Sequence, residues 1–188
     1  GYDILLTGEM GIGNTTTSSA VSAAILGEDP EVMTGRGAGL DKEGLKRKKK
    51  VIREAIDRYA LKGSDDILHI MECVGGLDIA GLCGIFLGGA LYQIPVVLDG
   101  FISATAALCA AKLVPQAVDA MIPSHISKEP AAGLILKELG LSPLLTCDMS
   151  LGEGSGAVAL MPILDMGHKV YEKMNTFEEI EVEQYQEL

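Results

Sequence analysis

The sequence predicts an α/β protein with a mostly parallel, Rossmann-like sheet flanked by helices. Short apolar runs alternate with longer segments of helical spacing along the 188 residues, which is typical of right-handed strand–helix–strand crossovers. The 23 glycines follow no collagen-like period, as expected for the many tight turns of an α/β enzyme. Apolar residues make up 48% of the chain, which is enough for a sizeable core and too many for intrinsic disorder.

The predicted elements of the N-terminal part begin with a buried strand at 3–6. A helix at 15–26 follows, opened by hydroxyl side chains, and a second helix is predicted at 45–61 because apolar residues recur there at helical spacing. The apolar run at 67–71 predicts a further strand. The later predicted strands are 95–98 and 118–122, and the later predicted helices are 79–92, 103–113, 129–139 and 157–174.

One uncharged segment has the length of a membrane span, since 20 consecutive residues from 79 to 98 carry no charge. Glycines interrupt this run and Pro95 lies near its end, so a helix followed by a buried strand is favoured over a membrane span. Ala80, Gly84 and Gly88 stand four residues apart. We therefore expect a neighbouring element to approach the helix closely along these small residues.

Charge and cysteine content exclude some classes of function. The chain has 15 Lys and Arg against 26 Asp and Glu, a net charge of −11, so it is not expected to bind nucleic acid. The four cysteines lie in apolar or small-residue settings without a CxxC pair, which predicts buried, reduced thiols and a cytoplasmic protein. Metal binding is a weak alternative, because the three histidines are not spaced to join the cysteines.

The two ends of the chain carry separate expectations. No signal peptide precedes Tyr2 and no Met begins the chain, so a fragment or a processed chain is expected. We predict one α/β domain over residues 1–177. Residues 178–188 are predicted to form an acidic, solvated tail, because the stretch from 172 onward carries six Glu and one Lys.

Lys48 stands out among the seven basic residues between positions 42 and 53. Most of these charges are explained by a solvated helical face. Lys48 lies three residues after Leu45 and four before Ile52, so it borders the apolar stripe of the helix. Its ammonium group either extends to water along the surface or points at an anion within the fold.

The loops after the strands are the candidate sites, because ligands of open parallel sheets bind beyond the carboxyl ends of the strands. The first loop, at 8–17, combines Gly8, Gly11 and Gly13 with a polar stretch. Its side-chain donors, beside the free N–H groups of a helix start, suit a phosphate. These donors are Asn14, Thr15 and Thr16. The loop is neither a Walker loop nor GxGxxG, and an ordinary glycine-rich turn is the alternative.

Two further loops carry polar side chains with two readings each. Asp99 follows the strand at 95–98, and Asp78 lies in a companion turn. These carboxylates are candidates for ribose hydroxyls, while Asp99 would equally well cap a helix. In the third loop, His125 is either an acid–base group or a packed loop side chain, and Ser127 suits both a helix cap and a phosphate contact.

The fourth loop places Glu153 between Gly152 and Gly154. The glycines leave this carboxylate with little side-chain cover from its neighbours, so the backbone can wrap a flat ligand. Leu151 and other apolar neighbours favour a raised carboxyl pKa, which suits proton abstraction. The loop is not the nucleophile elbow GxSxG, and a plain glycine-rich helix start is the alternative.

Together these loops resemble one family closely, the nicotinate-nucleotide–dimethylbenzimidazole phosphoribosyltransferases. The matching blocks are GEMGIGNTT at 8–16, LDGF at 98–101, SHIS at 124–127 and LGEGSGA at 151–157. The resemblance runs in order from Asp3 to about Phe177. It corresponds to the C-terminal half of the family's chain only, so part of the benzimidazole pocket would lie outside this sequence.

The resemblance implies transfer of the 5-phosphoribosyl group of nicotinate mononucleotide to 5,6-dimethylbenzimidazole or a related base. The products would be nicotinate and α-ribazole 5′-phosphate, a precursor of the lower ligand of cobalamin. Because the pyridinium of the substrate leaves as a neutral ring, no cofactor and no metal are needed. The family is dimeric, so a homodimer is expected as well.

The resemblance also implies roles for individual residues. Glu153 corresponds to the family's general base, Glu9 to a second carboxylate needed for activity, and Lys48 to a lysine near the ribose-phosphate end. Met10 and Leu151 correspond to apolar residues that sandwich the aromatic base. The implied phosphate contacts are Ser127 and the loop residues Gly11, Gly13, Asn14, Thr15 and Thr16.

Two other classes of function stay open on the sequence. One is a truncated, non-catalytic homologue or a nucleotide-binding subunit, which the absent half favours and the retained Glu153, Glu9 and Lys48 disfavour. The other is a generic phosphate–sugar enzyme such as a kinase, which is disfavoured because the Walker lysine and metal-binding carboxylates are missing. Release of nicotinate from nicotinate mononucleotide in the presence of 5,6-dimethylbenzimidazole discriminates between the transferase and the non-catalytic homologue.

Overall fold

Three short parallel strands form the sheet at the centre of the molecule. The computed structural model describes residues 1–183. The strands are β1 (Leu5–Leu6), β2 (Val96–Leu98) and β3 (Met121–Pro123), in that spatial order. Leu5 lies beside Val96, and Val97 lies beside Ile122. Because all three strands run in the same direction, the loops that follow them emerge at one edge, and the predicted α/β fold is confirmed.

Helices cover both faces of the sheet within this part of the chain. They are α1 (Asn14–Leu26), α2 (Pro30–Met33), α3 (Lys42–Arg58), α4 (Ile67–Val74), α5 (Leu77–Tyr92), α6 (Phe101–Leu113), α7 (Ala131–Glu138) and α8 (Ser155–Lys173), with a 3₁₀ turn at Pro115–Ala120. Aspartates begin three of them. Asp29, Asp41 and Asp66 accept hydrogen bonds from backbone N–H groups in the first turns of α2, α3 and α4.

Alternation along β2 divides the core into two layers. Val96 and Leu98 point into the main core, to which α1–α7 all contribute. Val97 points to the opposite face, where it packs with Ala157 and Leu160 of α8. The strand is buried on both faces, as parallel strands between helices usually are.

Two predicted strands differ from the structure. Residues 67–71 belong to helix α4, because Asp66 caps the segment by accepting the His69 N–H at 3.0 Å and the apolar residues line one helical face. The predicted strand at 118–122 is a 3₁₀ turn up to Ala120, followed by β3. Short apolar runs fit either state, so periodicity alone does not separate them.

The predicted close approach of a neighbouring element along the small residues of α5 is also wrong in its details. A Cβ atom added to Gly84 or Gly88 would meet open space, so no element packs closely there. The close contact is at Gly89, where a Cβ would lie 2.8 Å from the Ile94 carbonyl oxygen and would overlap Val96. A membrane span would need a longer or more apolar helix than any found within residues 1–183.

The four cysteines are free thiols but are not uniformly buried. Burial raises the pKa of Cys83 to about 11 and that of Cys109 to about 12, so both stay protonated at neutral pH. Cys73 is half-buried and Cys147, in the irregular segment after α7, is exposed, so the prediction of four buried thiols is wrong for these two. The predicted tail is exposed over 178–183, and its remainder lies outside the described residues.

Candidate active site

A pocket of about 150 Å³ lies at the carboxyl edge of the sheet. Residues from all four predicted loops line it, which confirms that these loops share one edge. The lining residues from these loops include Glu9, Met10, Gly11, Thr15, Asp99, Gly100, Phe101, His125, Ser127, Leu151 and Gly152. The pocket is therefore built from segments that lie far apart in the sequence.

The first and fourth loops cross in direct backbone contact. The Glu153 N–H donates to the Glu9 carbonyl oxygen at 2.7 Å. A Cβ atom on Gly8 would lie 2.6 Å from the Gly154 nitrogen, and one on Gly152 would lie 2.9 Å from the Glu9 oxygen. Larger residues would force the two loops apart, so glycine is required at the crossing.

Glu153 adopts a left-handed backbone conformation, with φ of 58° between two glycines of φ 76° and 78°. This region typically costs a non-glycine residue about 1–3 kcal/mol, and such outliers concentrate at functional sites. The Glu153 side chain is exposed beside the pocket and does not line it. Its location is set by the backbone bond to Glu9, whose own carboxylate accepts the Gly11 N–H at 2.6 Å.

The Asp99 carboxylate holds the fourth loop in place through hydrogen bonds to its backbone. Its carboxylate accepts N–H donors from Gly154 at 3.0 Å, Gly156 at 2.8 Å and Ala157 at 3.3 Å, and the side chain is buried. The structure thus places a helix-capping aspartate at the start of α8, which is not the helix that follows it directly in sequence. Asp99 also borders the pocket, where its ribose contact remains a prediction.

His125 is a buried pocket residue held in one orientation by Ser124. The Ser124 hydroxyl donates to the Asp99 carbonyl oxygen at 3.0 Å, so its oxygen is free to accept the His125 Nδ1–H at 3.0 Å. Burial lowers the pKa of His125, and the nearby Asp99 carboxylate opposes this shift. The ring is therefore neutral at neutral pH, with its proton on Nδ1, as expected for a packed side chain.

The end of the pocket near Thr15 is suited to an anion. Gly13 begins α1 in a left-handed conformation, and no side chain caps the helix start, which leaves backbone N–H groups for a ligand. Lys48 is 6% exposed and donates to the Thr15 hydroxyl at 2.9 Å and to the Gly35 carbonyl at 3.1 Å. Of the two readings of Lys48, the structure supports the ammonium that points inward.

Several predicted ligand residues lie behind or beside the pocket. Asn14 is buried and donates through Nδ2 to the Asp78 carboxylate at 2.7 Å, so these two side chains bind each other. Gly13 and Thr16 stand at the first turn of α1 without lining the cavity. Their phosphate and ribose contacts remain predictions, as do those of the pocket-lining residues.

The two residues predicted to sandwich a base lie at the pocket rim. Met10 is 63% exposed and Leu151 is 68% exposed, and both line the cavity. The apolar wall predicted around Glu153 is therefore wrong for this chain alone, because Leu151 does not shield that carboxylate from water. Their contact with a base remains a prediction.

One wall of the pocket was missed by the sequence analysis. Gly37 and Ala38, in the glycine-rich segment GRGAG at 35–39, line the cavity together with Glu129 and Lys128. The glycine spacing and the position shortly before the basic helix were signals that would have found this loop. A carboxylate at 129 gave no such signal, since the sequence places it at the start of a predicted helix.

This combination defines an α/β domain whose carboxyl-edge pocket has an end suited to an anion and is also lined by the Glu9 carboxylate. The anion end has free helix N–H groups, hydroxyls and a buried lysine, and the other end has Glu9 and Glu153 joined through the backbone. No cluster of three His, Cys, Asp or Glu side chains in residues 1–183 is arranged to hold a metal ion.

Comparisons with known proteins agree with this class. The family model DBI_PRT, described as Phosphoribosyltransferase, matches residues 1–182. The chain belongs to this phosphoribosyltransferase family, and the resemblance drawn from the loops is confirmed.

The relatives are considerably longer than this chain. A nicotinate-nucleotide–dimethylbenzimidazole phosphoribosyltransferase of Acetivibrio thermocellus is 48% identical over 186 residues, which are 99% of this chain and 53% of that protein. One of Chloroflexus aurantiacus is 48% identical over 95% of this chain and 51% of its own length. The crystal structure of CobT from Thermus thermophilus superposes with a TM-score of 0.90 and 40% identity, over 98% of this chain and 55% of that one. This chain spans about half the length of the relatives it matches.

Proposed function

We propose that this chain carries the nucleotide end of the catalytic pocket of a phosphoribosyltransferase. The enzyme would transfer the 5-phosphoribosyl group from nicotinate mononucleotide to 5,6-dimethylbenzimidazole or a related base. The observation that carries the proposal is the carboxyl-edge pocket, which is lined by Thr15, to which the buried Lys48 donates, and by Glu9, whose backbone carbonyl binds the Glu153 N–H beside the pocket. The names of the relatives favour these two substrates.

The proposed reaction is a substitution at C1′ of the ribose. The azole nitrogen of the acceptor attacks C1′, the bond to the pyridinium nitrogen breaks, and nicotinate leaves with the electron pair of that bond. The acceptor loses its N–H proton to Glu153, which acts as the general base. The enzyme contributes mainly by aligning the azole with C1′ and by holding the phosphate.

Each loop has a part in this proposal. The start of α1, Thr15 and Ser127 hold the phosphate, with Lys48 below them supplying positive charge. Asp99 and Asp78 are the candidates for the ribose, and Met10 and Leu151 for the faces of the base. Asp99 also fixes the loop that carries Glu153, since it binds the N–H groups on both sides of Ser155.

We also propose that the working enzyme is a cytoplasmic homodimer. An apolar groove of about 700 Å³, lined by Leu87, Leu91, Pro95 and Val114, opens at the opposite edge of the sheet. Met166 and Val170 of α8 are exposed as well. Uncovered apolar surface of this kind favours a second copy or a further segment of chain. Sedimentation of the full-length protein as a monomer at high concentration would contradict the dimer.

The test of the proposed function is a turnover assay on the full-length protein. Nicotinate mononucleotide and 5,6-dimethylbenzimidazole are mixed with the enzyme, and nicotinate release is followed by chromatography. We expect release that depends on both substrates and yields α-ribazole 5′-phosphate. A protein that binds the nucleotide without releasing nicotinate would instead be the non-catalytic homologue.

A further inference from the structure

The loop at 35–39 packs against Glu129 and Thr15 with no space between them. The Gly37 N–H donates to Glu129 Oε1 at 3.0 Å. A Cβ atom on Gly35 would overlap the Glu129 carboxylate, and one on Gly37 would lie 2.6 Å from the Thr15 hydroxyl oxygen. The position of this pocket wall therefore depends on the Glu129 side chain.

Lys48 holds the same loop from the other side. Its ammonium donates to the Gly35 carbonyl at 3.1 Å and to Thr15 Oγ1 at 2.9 Å. Glu129 also has its backbone N–H directed at the Ser127 hydroxyl, at 3.4 Å. Glu129 thus contacts the loop through its carboxylate and the proposed phosphate ligand Ser127 through its backbone N–H.

Among residues 1–183, few neighbours of Lys48 stabilise its positive charge. Burial lowers the pKa of Lys48, and Glu129 opposes that shift. From α1 and the 35–39 loop, Lys48 meets the uncharged Thr15 hydroxyl and Gly35 carbonyl, while Glu31 of α2 binds Lys49 instead. Arg36, in the same loop, is exposed.

The second oxygen of the Glu129 carboxylate makes no hydrogen bond within residues 1–183. This oxygen, Oε2, is buried. A buried carboxylate oxygen without a partner is costly, and it is tolerated where a nearby positive charge compensates it. The negative charge of Glu129 interacts with the Lys48 ammonium and raises the pKa of that lysine.

We propose that Glu129 is a positioning residue for the phosphate end of the pocket. Its carboxylate fixes the 35–39 loop through the Gly37 N–H and supplies a negative charge to the loop that the buried Lys48 ammonium also binds. This inference rests on the proposed function, because it takes the ligand at this end to be the phosphate of a nucleotide.

The test compares Glu129→Gln with wild type in the full-length protein, by calorimetric titration of nicotinate mononucleotide between pH 7 and pH 10. Glutamine can still accept the Gly37 N–H, so the variant removes mainly the charge. Lys48 is charged below its pKa, so phosphate affinity is present at lower pH and is lost as the pH rises through that value. Without the Glu129 charge, we expect this loss to occur at a lower pH than in wild type, so that the variant binds more weakly than wild type between the two midpoints.

Three controls separate this role from a structural one. Glu138→Gln, on the exposed face of α7 where the carboxylate binds Lys112 at 2.6 Å, should keep the wild-type pH profile. Nicotinate riboside, which lacks the phosphate, should bind wild type and Glu129→Gln equally. In a Lys48→Met background, Glu129→Gln should cause no further shift. If Glu129→Gln lowers the melting temperature strongly, Glu129→Asp, which keeps the charge, should retain the wild-type profile.

The outcomes distinguish this inference from the proposed function. An unchanged pH profile in Glu129→Gln, or a shift that persists in the Lys48→Met background, would overturn the role of Glu129. Inorganic phosphate serves as a second probe. If wild type binds phosphate with the Glu129-dependent profile but does not bind nicotinate mononucleotide, the proposed function fails and the role of Glu129 stands. If wild type binds neither probe, both are overturned.

Discussion

Replacing Asp99 by Asn tests whether one buried carboxylate holds the loop that carries Glu153. Asp99 accepts three backbone N–H groups at the start of α8, through both of its oxygens. An asparagine side chain has only one acceptor oxygen. Its NH2 group would therefore face at least one of these N–H donors, and no hydrogen bond could form there. A hydrogen bond to a charged group contributes about 1.5–3 kcal/mol, and a negative charge at a helix start adds up to about 2 kcal/mol. We expect a local loss of about 3 kcal/mol.

Hydrogen–deuterium exchange of the full-length protein measures this loss at the first turn of α8. A change of about 3 kcal/mol in the free energy of local opening corresponds to exchange more than a hundredfold faster at Gly156 and Ala157. Asp119→Asn is the matched control, because Asp119 is exposed and lies at the other edge of the sheet. It should leave exchange in α8 unchanged.

The same variant should affect turnover through the position of Glu153. We expect a fall in kcat with a smaller change in nucleotide affinity, since the anion end of the pocket is built by other segments. Exchange at Gly156 accelerated less than threefold would refute the anchoring role of Asp99. So would an equal effect of Asp119→Asn.

Two further predictions concern the anion end and the crossing of the loops. Lys48→Ala should weaken nicotinate mononucleotide binding about ten- to a hundredfold, because a buried charged donor is lost, whereas Lys46→Ala, exposed on α3, should do little. Equal effects in calorimetric titration would reduce Lys48 to part of a solvated face. Gly8→Ala should abolish most turnover, because its Cβ would lie 2.6 Å from the Gly154 nitrogen, while Gly84→Ala should be tolerated in open space. Wild-type activity of Gly8→Ala would show that the two loops do not need their close contact.

The carboxyl-edge site was largely predictable because each loop carries its own chemistry in a short segment. The glycines and hydroxyls of residues 8–17 indicate a phosphate loop before any fold is known. Helical spacing singled out Lys48 at the border of the apolar stripe of α3 but left open whether its ammonium extends to water or points inward. Such local signals survive without knowledge of the tertiary structure.

Other features depend on contacts between distant segments and could not be predicted. Whether the segment at 67–71 forms a strand or a helix was decided by the Asp66 cap. The role of Asp99 as the cap of α8 joins residues 57 positions apart. The contact between Glu129 and the 35–39 loop likewise joins segments that lie far apart in the sequence.

The most direct test of the central claim is nicotinate release by Glu153→Gln in the full-length enzyme. The amide keeps the size of the side chain but cannot accept the azole proton, and a positioned base typically contributes about 10²–10⁴ in rate. We predict unchanged affinity for nicotinate mononucleotide, a loss of turnover of that size on 5,6-dimethylbenzimidazole, and a smaller loss with an azole that is already ionised. Turnover within a factor of a few of wild type on 5,6-dimethylbenzimidazole would contradict the account and leave Glu9 as the next candidate for the base.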